Sequence, residues 1–166
     1  MTRHKAAFTC FLCLLATLYI SCTQQRDPCL QPKVQVLRLG CYQKPDTSVI
    51  DTSLPHPFIA AIDFVDSIKI VTDTANAGNK FGLYLSPLAD STRWVIWPDM
   101  RLPESTADTI TFYYAKSLQF LSNACGYTYF YNLHSVHTTN HSIDSVVINS
   151  YDVNSDASKE HLKIYY

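Results

Sequence analysis

Alternation of apolar and polar residues at every second position is the feature that most constrains the fold. Val34 and Val36 flank Gln35, Ile68 and Ile70 flank Lys69, and residues 109–114 read Thr-Ile-Thr-Phe-Tyr-Tyr. Successive side chains of a β-strand point to opposite faces, so this period of two predicts strands with one buried face. The chain therefore belongs to the class of β-proteins.

The same pattern predicts about nine short strands in all, spaced as in a sandwich, and no helix. Glutamate is scarce, whereas Tyr, Phe and the β-branched residues that suit a pleated surface are abundant. We predict an all-β, two-sheet antiparallel sandwich, Ig-like or related, built by residues 27–166 as a single domain. The remaining predicted strands are residues 81–85, 92–97, 116–121, 126–133, 143–149 and 162–166. The proline-rich residues 44–57 are predicted to form a long connection that crosses between the sheets or over an edge.

The amino terminus has the pattern of an export signal. Positive residues at 3–5 precede an apolar stretch, residues 6–20, and then Ser21 and Cys22. The stretch is shorter than the roughly 20 apolar residues that span a bilayer. We predict that residues 1–21 are a signal peptide with a lipobox, and that Cys22 is acylated by fatty acids such as palmitate and becomes the new amino terminus.

This prediction leaves two alternatives open. Tyr19 stands where a lipobox usually has leucine, which is compatible with ordinary secretion and cleavage nearby. A permanent transmembrane anchor is the other alternative. Residues 22–26 would form the lipidated anchor and a short tether, and the absence of an aspartate next to Cys22 favours the outer membrane, facing the periplasm, by resemblance to lipoprotein sorting rules.

Charge excludes one class of partner. The whole chain has a net charge of −1, and removing Arg3 and Lys5 with the signal makes it more negative. Nucleic-acid binding needs clustered cations that release counterions from phosphates, so no nucleic acid is expected.

Three cysteines remain after Cys22: Cys29, Cys41 and Cys125. They permit three alternative disulfides with one free thiol, or three free buried thiols. We favour Cys29 with Cys125, because Cys29 lies in a proline-flanked entry segment and Cys125 lies at a strand junction. Closing so long a loop would contribute about 4–5 kcal/mol in the chain-entropy model.

Several segments together resemble an uncharacterised family of Bacteroidota lipoproteins. The segments are Arg-Asp-Pro-Cys at residues 26–29, Asn-Ala-Cys-Gly-Tyr-Thr-Tyr-Phe-Tyr-Asn-Leu at residues 123–133, Asp-Ser-Val-Val-Ile at residues 144–148 and His-Leu-Lys-Ile-Tyr-Tyr at residues 161–166. The resemblance implies an envelope compartment and an all-β fold. It carries no assigned activity and therefore transfers no catalytic residue, and Cys41 has no place in the pattern.

Two segments suggest metal ligands. His134, His137 and His141 have a spacing that invites a zinc site, but residues three apart on a strand face opposite sides, so solvated turn histidines are the preferred interpretation over a metal or pH-sensitive site. Residues 152–156 begin like a calcium loop but lack its later glycine and glutamate. We therefore predict no metal and no cofactor.

Aromatic residues are the main indication of binding. Trp94 and Trp97 lie on opposite faces of one predicted strand, and Tyr127, Tyr129 and Tyr131 share one face of another. Such side chains can stack on sugars or anchor a protein partner, but a sandwich core with tyrosine hydroxyls at its edge is the preferred interpretation.

The predicted function is non-enzymatic binding or assembly at the bacterial cell envelope, with the membrane as a partner through the lipid and an envelope protein or glycan as a further partner. A glycan-binding module would require an exposed Trp94 or Trp97. An envelope hydrolase would require Asp, His and Ser to meet in a cleft, since the chain has no G-x-S-x-G motif. The terminal residues 162–166 would add to a partner's sheet if they form an exposed edge.

Overall fold

The structure is a computed structural model that describes residues 28–43, 50–63 and 78–166. The predicted signal peptide, Cys22, the tether to residue 26, the predicted strand at residues 68–70 and part of the 44–57 connection lie outside the described residues.

The all-β prediction is confirmed: the described residues form two sheets of five strands each. Within these residues the helical structure is a single 3₁₀ turn, Glu104–Thr106. No helix in the described ranges is long and apolar enough to cross a membrane. The strands are β1 (Val36–Gln43), β2 (Ile50–Asp51), β3 (Phe58–Ala61), β4 (Lys80–Tyr84), β5 (Ser91–Trp97), β6 (Asp108–Ser122), β7 (Gly126–Thr138), β8 (Ser145–Ile148), β9 (Asp152–Val153) and β10 (Leu162–Tyr165).

The first sheet is organised around β1. On one side β1 pairs in parallel with β10, from Leu39 opposite Leu162 to Tyr42 opposite Tyr165. On its other side β1 pairs with β4 and, further along, with β2, while β8 pairs with the far side of β10. The parallel pair departs from the purely antiparallel sandwich that was predicted. Because β10 is paired on both sides, the hypothesis that it is a free edge for a partner is wrong.

The second sheet is antiparallel, in the order β3-β5-β6-β7-β9. The predicted strands 110–114 and 116–121 are one continuous strand, β6, because its pairing with β7 runs from Ile110 to Ser122. β6 has 15 residues and β7 has 13, well beyond the usual strand length of about 5 or 6. The two strands therefore form a long hairpin.

The core lies between the sheets and follows the period of two. β1 contributes Leu37, Leu39 and Cys41, and β5 contributes Trp94 and Ile96, all at most 1% exposed. Each large apolar side chain removed from water in this way stabilises the fold by about 1.5–3 kcal/mol. From β6 and β7 the core receives Ile110, Phe112, Tyr114, Tyr131 and Leu133.

A disulfide fastens the entry segment to the long hairpin. Cys29 is bonded to Cys125, with their Cα atoms 4.8 Å apart, and these are the two cysteines that the sequence analysis paired. Cys41 is a free thiol, fully buried in β1. Burial raises the pKa of Cys41 to about 12, and the negative charge of nearby Glu160 makes a smaller contribution in the same direction. The thiol therefore stays protonated.

Candidate functional site

The end of the β6–β7 hairpin carries apolar side chains that the sandwich does not cover. Along β6, Phe112 and Tyr114 are buried in the core, whereas Leu118 and Phe120, on the same face by alternation, are 57% and 55% exposed. Along β7, Tyr131 is buried, whereas Tyr129 and Tyr127 are 37% and 65% exposed. We call Leu118, Phe120, Tyr127 and Tyr129 the hairpin patch. It continues the core-facing side of the hairpin past the opposite sheet.

The four residues of the hairpin patch are cross-strand neighbours. Leu118 is paired with Tyr129 and Phe120 with Tyr127, and the rings of the second pair are 5.3 Å apart between centroids. Gly126 closes the turn with a φ of +73°, a conformation that side chains other than glycine rarely adopt. The patch is therefore one contiguous apolar surface held in register by the strand ladder.

The reverse side of the hairpin end is braced by the entry segment. Thr128, which points away from the patch by alternation, is buried and donates its hydroxyl to the carbonyl oxygen of Lys33 at 2.6 Å. The disulfide joins Cys125 in the turn to Cys29, four residues before Lys33. The turn itself is closed by a hydrogen bond from the Cys125 backbone N–H to the Ser122 hydroxyl. On this reverse side the entry segment thus buries Thr128, whereas the other side presents the patch.

Carboxylates are absent from the hairpin beyond its first residue, Asp108. No aspartate or glutamate occurs between Asp108 and Asp144, a stretch that contains the whole patch and its turn. In the core behind the patch, burial raises the pKa of Tyr131 to about 12, with smaller contributions from Tyr114 and Tyr129. The surface that the patch offers is apolar, with two tyrosine hydroxyls as its polar groups.

The structure separates the aromatic residues that the sequence analysis grouped. Trp94 is fully buried and donates its indole N–H to the carbonyl oxygen of Tyr84, and Trp97 is half buried on the opposite face of β5. Trp94 therefore cannot stack on a glycan, and that prediction is wrong for this residue. Tyr131 is likewise a core residue, 7% exposed, whose hydroxyl donates to the carbonyl oxygen of Leu85. Tyr127 and Tyr129 are the predicted binding residues that reach the surface.

The three histidines do not converge. His137 packs edge to face on Tyr113, with 5.6 Å between ring centroids, and His141 lies beside Asp108 in the following loop. His134 sits at an irregularity in the β6–β7 ladder and is exposed. Within the described ranges, no three His, Cys, Asp or Glu side chains are grouped so that they could hold a metal ion.

A buried carboxylate that the sequence analysis missed organises the loop after β7. Asp108 is fully buried and accepts hydrogen bonds from the backbone N–H groups of His141, Ser142 and Ile143 at 2.7–2.8 Å, and from the Thr139 hydroxyl at 2.7 Å. Burial by itself would raise the pKa of Asp108, but these hydrogen bonds outweigh it and lower the pKa below its ordinary value.

This cluster contains the Asp, His and Ser types that a hydrolase would need. The Ser142 hydroxyl, however, donates to the carbonyl oxygen of Thr106 at 2.6 Å and not to an imidazole nitrogen. The Asp108 carboxylate accepts hydrogen bonds mainly from backbone N–H groups and so holds the loop after β7 in place. We call Asp108 with these bonds the Asp108 clamp. The local sequence signal for it is the Asp108-Thr109 dipeptide, whose short hydrogen-bonding side chains are typical of turns.

A shallow cleft of about 390 Å³ lies on the first sheet, between β1, β4 and residues 157–160. Arg38, Lys80, Lys159 and Glu160 provide its charges. Glu160 accepts a hydrogen bond from the Tyr42 hydroxyl at 2.8 Å, and Arg38 donates to the carbonyl oxygen of Asp156. Arg38 and Glu160 thus hold the loop before β10 against β1, and these contacts explain both as structural residues.

Comparison with known proteins places the chain in a family. A family described as "Family of unknown function (DUF6452)" matches residues 59–166. The match includes both strands of the hairpin and the whole hairpin patch, but leaves out β1, which pairs with β4 and β10 inside the first sheet. No curated protein and no solved structure matches the chain. The chain belongs to this family of unknown function, DUF6452.

Proposed function

We propose that the protein is a non-enzymatic binding domain of the bacterial cell envelope, anchored through lipid on Cys22, with the hairpin patch as its binding surface. The observation that carries this proposal is the Cys29–Cys125 disulfide. Disulfides persist in oxidising compartments outside the cytoplasm. This one also ties the segment that follows the proposed anchor directly to the hairpin end.

The patch supports a binding role because it is contiguous and apolar and lies on a braced strand ladder. Single exposed apolar residues are ordinary on protein surfaces, whereas contiguous patches mark binding sites. Here four large side chains are adjacent on a strand ladder that is braced from behind by the Thr128 hydrogen bond and the disulfide. Tyrosine and phenylalanine offer large contact area at low cost in side-chain entropy. The residues thus suit a surface that binds without rearranging.

For the compartment, we propose the outer membrane facing the periplasm, as residues 23–26 favour. The membrane would be one partner through the lipid, and the occupant of the patch would be the second. An envelope protein, a glycan through Tyr127 and Tyr129, and the lipid surface itself are chemically compatible occupants.

The anchor is tested on the full chain expressed in a Gram-negative host with an intact lipoprotein pathway. We expect intact-mass analysis to show a mature protein that begins at Cys22 and carries a diacylglyceryl group and an amide-linked acyl chain. A Cys22→Ser protein should lose the acyl mass and leave the membrane fraction. A mature protein that begins elsewhere, or unchanged membrane fractionation of Cys22→Ser, would contradict the proposal.

The binding surface is tested by placing a photoreactive phenylalanine analogue at position 120 of the full chain, within the patch. The control carries the same analogue at position 102, in the β5–β6 connection, where Leu102 is 50% exposed, close to the 55% of Phe120. Irradiated envelopes should give covalent adducts from position 120 in excess over position 102. Equal yields from both positions would refute the patch as the binding surface.

A further inference from the structure

The length of chain between the proposed anchor and the folded domain limits where the membrane can lie. Cys22 precedes Cys29 by seven residues, and a chain of that length spans at most about 25 Å when fully extended. Cys29 is fixed at the hairpin end by its bond to Cys125, two residues before Tyr127. The hairpin end therefore stays within about 25 Å of a membrane that holds Cys22.

The opposite end of the domain cannot replace the hairpin end at the membrane. β6 runs from Asp108 to Ser122, about 45 Å at 3.3 Å per residue. If the β5–β6 connection faced the bilayer, the hairpin end would stand some 45 Å above it, beyond the reach of the tether. The tether thus allows orientations in which the hairpin patch is near the lipid and excludes the inverted one.

The chemistry of the patch fits the lipid–water interface. Tyrosine is enriched there because its ring sits among the acyl chains while its hydroxyl stays with the headgroups, and Phe and Leu enter the acyl region. The stretch from residue 109 to residue 143 contains no carboxylate to be repelled by anionic headgroups.

We infer that the hairpin patch is a second membrane contact: Leu118, Phe120, Tyr127 and Tyr129 insert into the interface of the bilayer that holds the lipid on Cys22. The inference rests on the anchor proposed above and names the occupant of the same surface. The lipid and the patch, joined by the disulfide, fix the orientation of the sandwich, with the β5–β6 connection pointing away from the membrane. The lipid anchor alone restrains only the position of the domain at the membrane, whereas two contacts restrain its orientation as well.

The test uses the lipidated full-length product in vesicles of phosphatidylethanolamine and phosphatidylglycerol, with and without lipids brominated along the acyl chain. Phe120→Trp and, as a second patch variant, Tyr127→Trp report from the hairpin end. Leu102→Trp is the control with matched exposure. The signal of the native Trp94 and Trp97 is subtracted with the parent protein.

We expect brominated lipid to remove most of the added fluorescence of Phe120→Trp and Tyr127→Trp, with a blue shift of their emission, and to leave Leu102→Trp unchanged. Absence of quenching in both patch variants would overturn the inference. So would equal quenching at all three positions, because the domain would then have no preferred face. Protection from aqueous acrylamide without quenching by brominated lipid would also overturn it, since a protein or a second copy of the chain would then cover the patch.

Failure of the proposed lipid anchor and failure of the second membrane contact give different results. If the protein carries no acyl group by mass and does not sediment with vesicles, the proposed anchor fails and the inference fails with it. If the protein is acylated and sediments but the patch tryptophans are not quenched, the anchor stands and only the second contact is refuted.

Discussion

The Asp108 clamp allows a prediction whose magnitude follows from its contacts. Asp108→Ala removes the acceptor of four hydrogen bonds. Because Ile143 is only 1% exposed, water cannot replace the carboxylate as the acceptor for its backbone N–H. A buried donor left without an acceptor costs about 1–3 kcal/mol, and a hydrogen bond to a charged acceptor contributes about 1.5–3 kcal/mol. The N–H of the exposed His141 can bind water instead. We therefore expect a loss of about 3–5 kcal/mol, a large fraction of the roughly 5–15 kcal/mol by which domains are stable.

The measurement is urea-induced unfolding with the disulfide intact, analysed by linear extrapolation. Asp144→Asn, which changes an exposed carboxylate 36 positions further on, is the control and should change the free energy of unfolding by less than about 0.5 kcal/mol. A loss below about 1 kcal/mol for Asp108→Ala would refute the clamp, because it would mean that the loop finds other acceptors at no cost.

The same clamp predicts a dependence on pH. The pKa of Asp108 is lower in the folded protein than in the unfolded chain, where it is about 3.9. The stabilisation by this carboxylate is therefore complete above pH of about 4 and is lost as the pH falls through the folded pKa. Asp108→Asn should be less stable at pH 7 and should lose less stability than the parent on acidification below pH 4.

Four further variants probe the rest of the structure. Cys29→Ser opens the disulfide and should lower the free energy of unfolding by up to about 4–5 kcal/mol, while Cys41, buried and protonated, should stay unreactive to thiol reagents until the protein unfolds. Burial lowers the pKa of His161, so stability should begin to fall as the pH drops below about 6.5, and His161→Gln should flatten that part of a thermal-melting pH profile. Tyr131→Ala should cost about 3–5 kcal/mol in urea unfolding, whereas Tyr127→Ser should cost less than about 0.5 kcal/mol; equal losses would contradict the division between core and patch.

The fold was predictable where burial on one face imposes a period of two. β4, β5 and β10 were anticipated within one or two residues, because their apolar positions alternate cleanly. β2 and β9 have two residues each and carry no periodic signal. β6 was predicted as two strands because Lys116, on the core-facing side, interrupts the run of apolar residues at alternate positions.

The site was predictable only in part, for a related reason. The sequence showed that Tyr127, Tyr129 and Tyr131 share a face, but the point at which the opposite sheet ends decides which of them is buried. That point depends on pairings between residues far apart in sequence, which a local pattern does not contain. Asp108 was missed for the same reason, since its partners lie more than 30 residues away.

The parallel pairing of the first and last strands sets the order in which the chain can fold. One side of β1, near the amino-terminal end of the described residues, pairs with Leu162–Tyr165 of β10. The same four residues pair on their other side with β8, so both strands lack this partner until β10 has been made. A chain emerging from a ribosome or a translocation pore therefore cannot complete the first sheet before residues 162–165 have emerged. Deletion of residues 162–166 would remove an interior strand, and the altered chain would remain open to proteolysis.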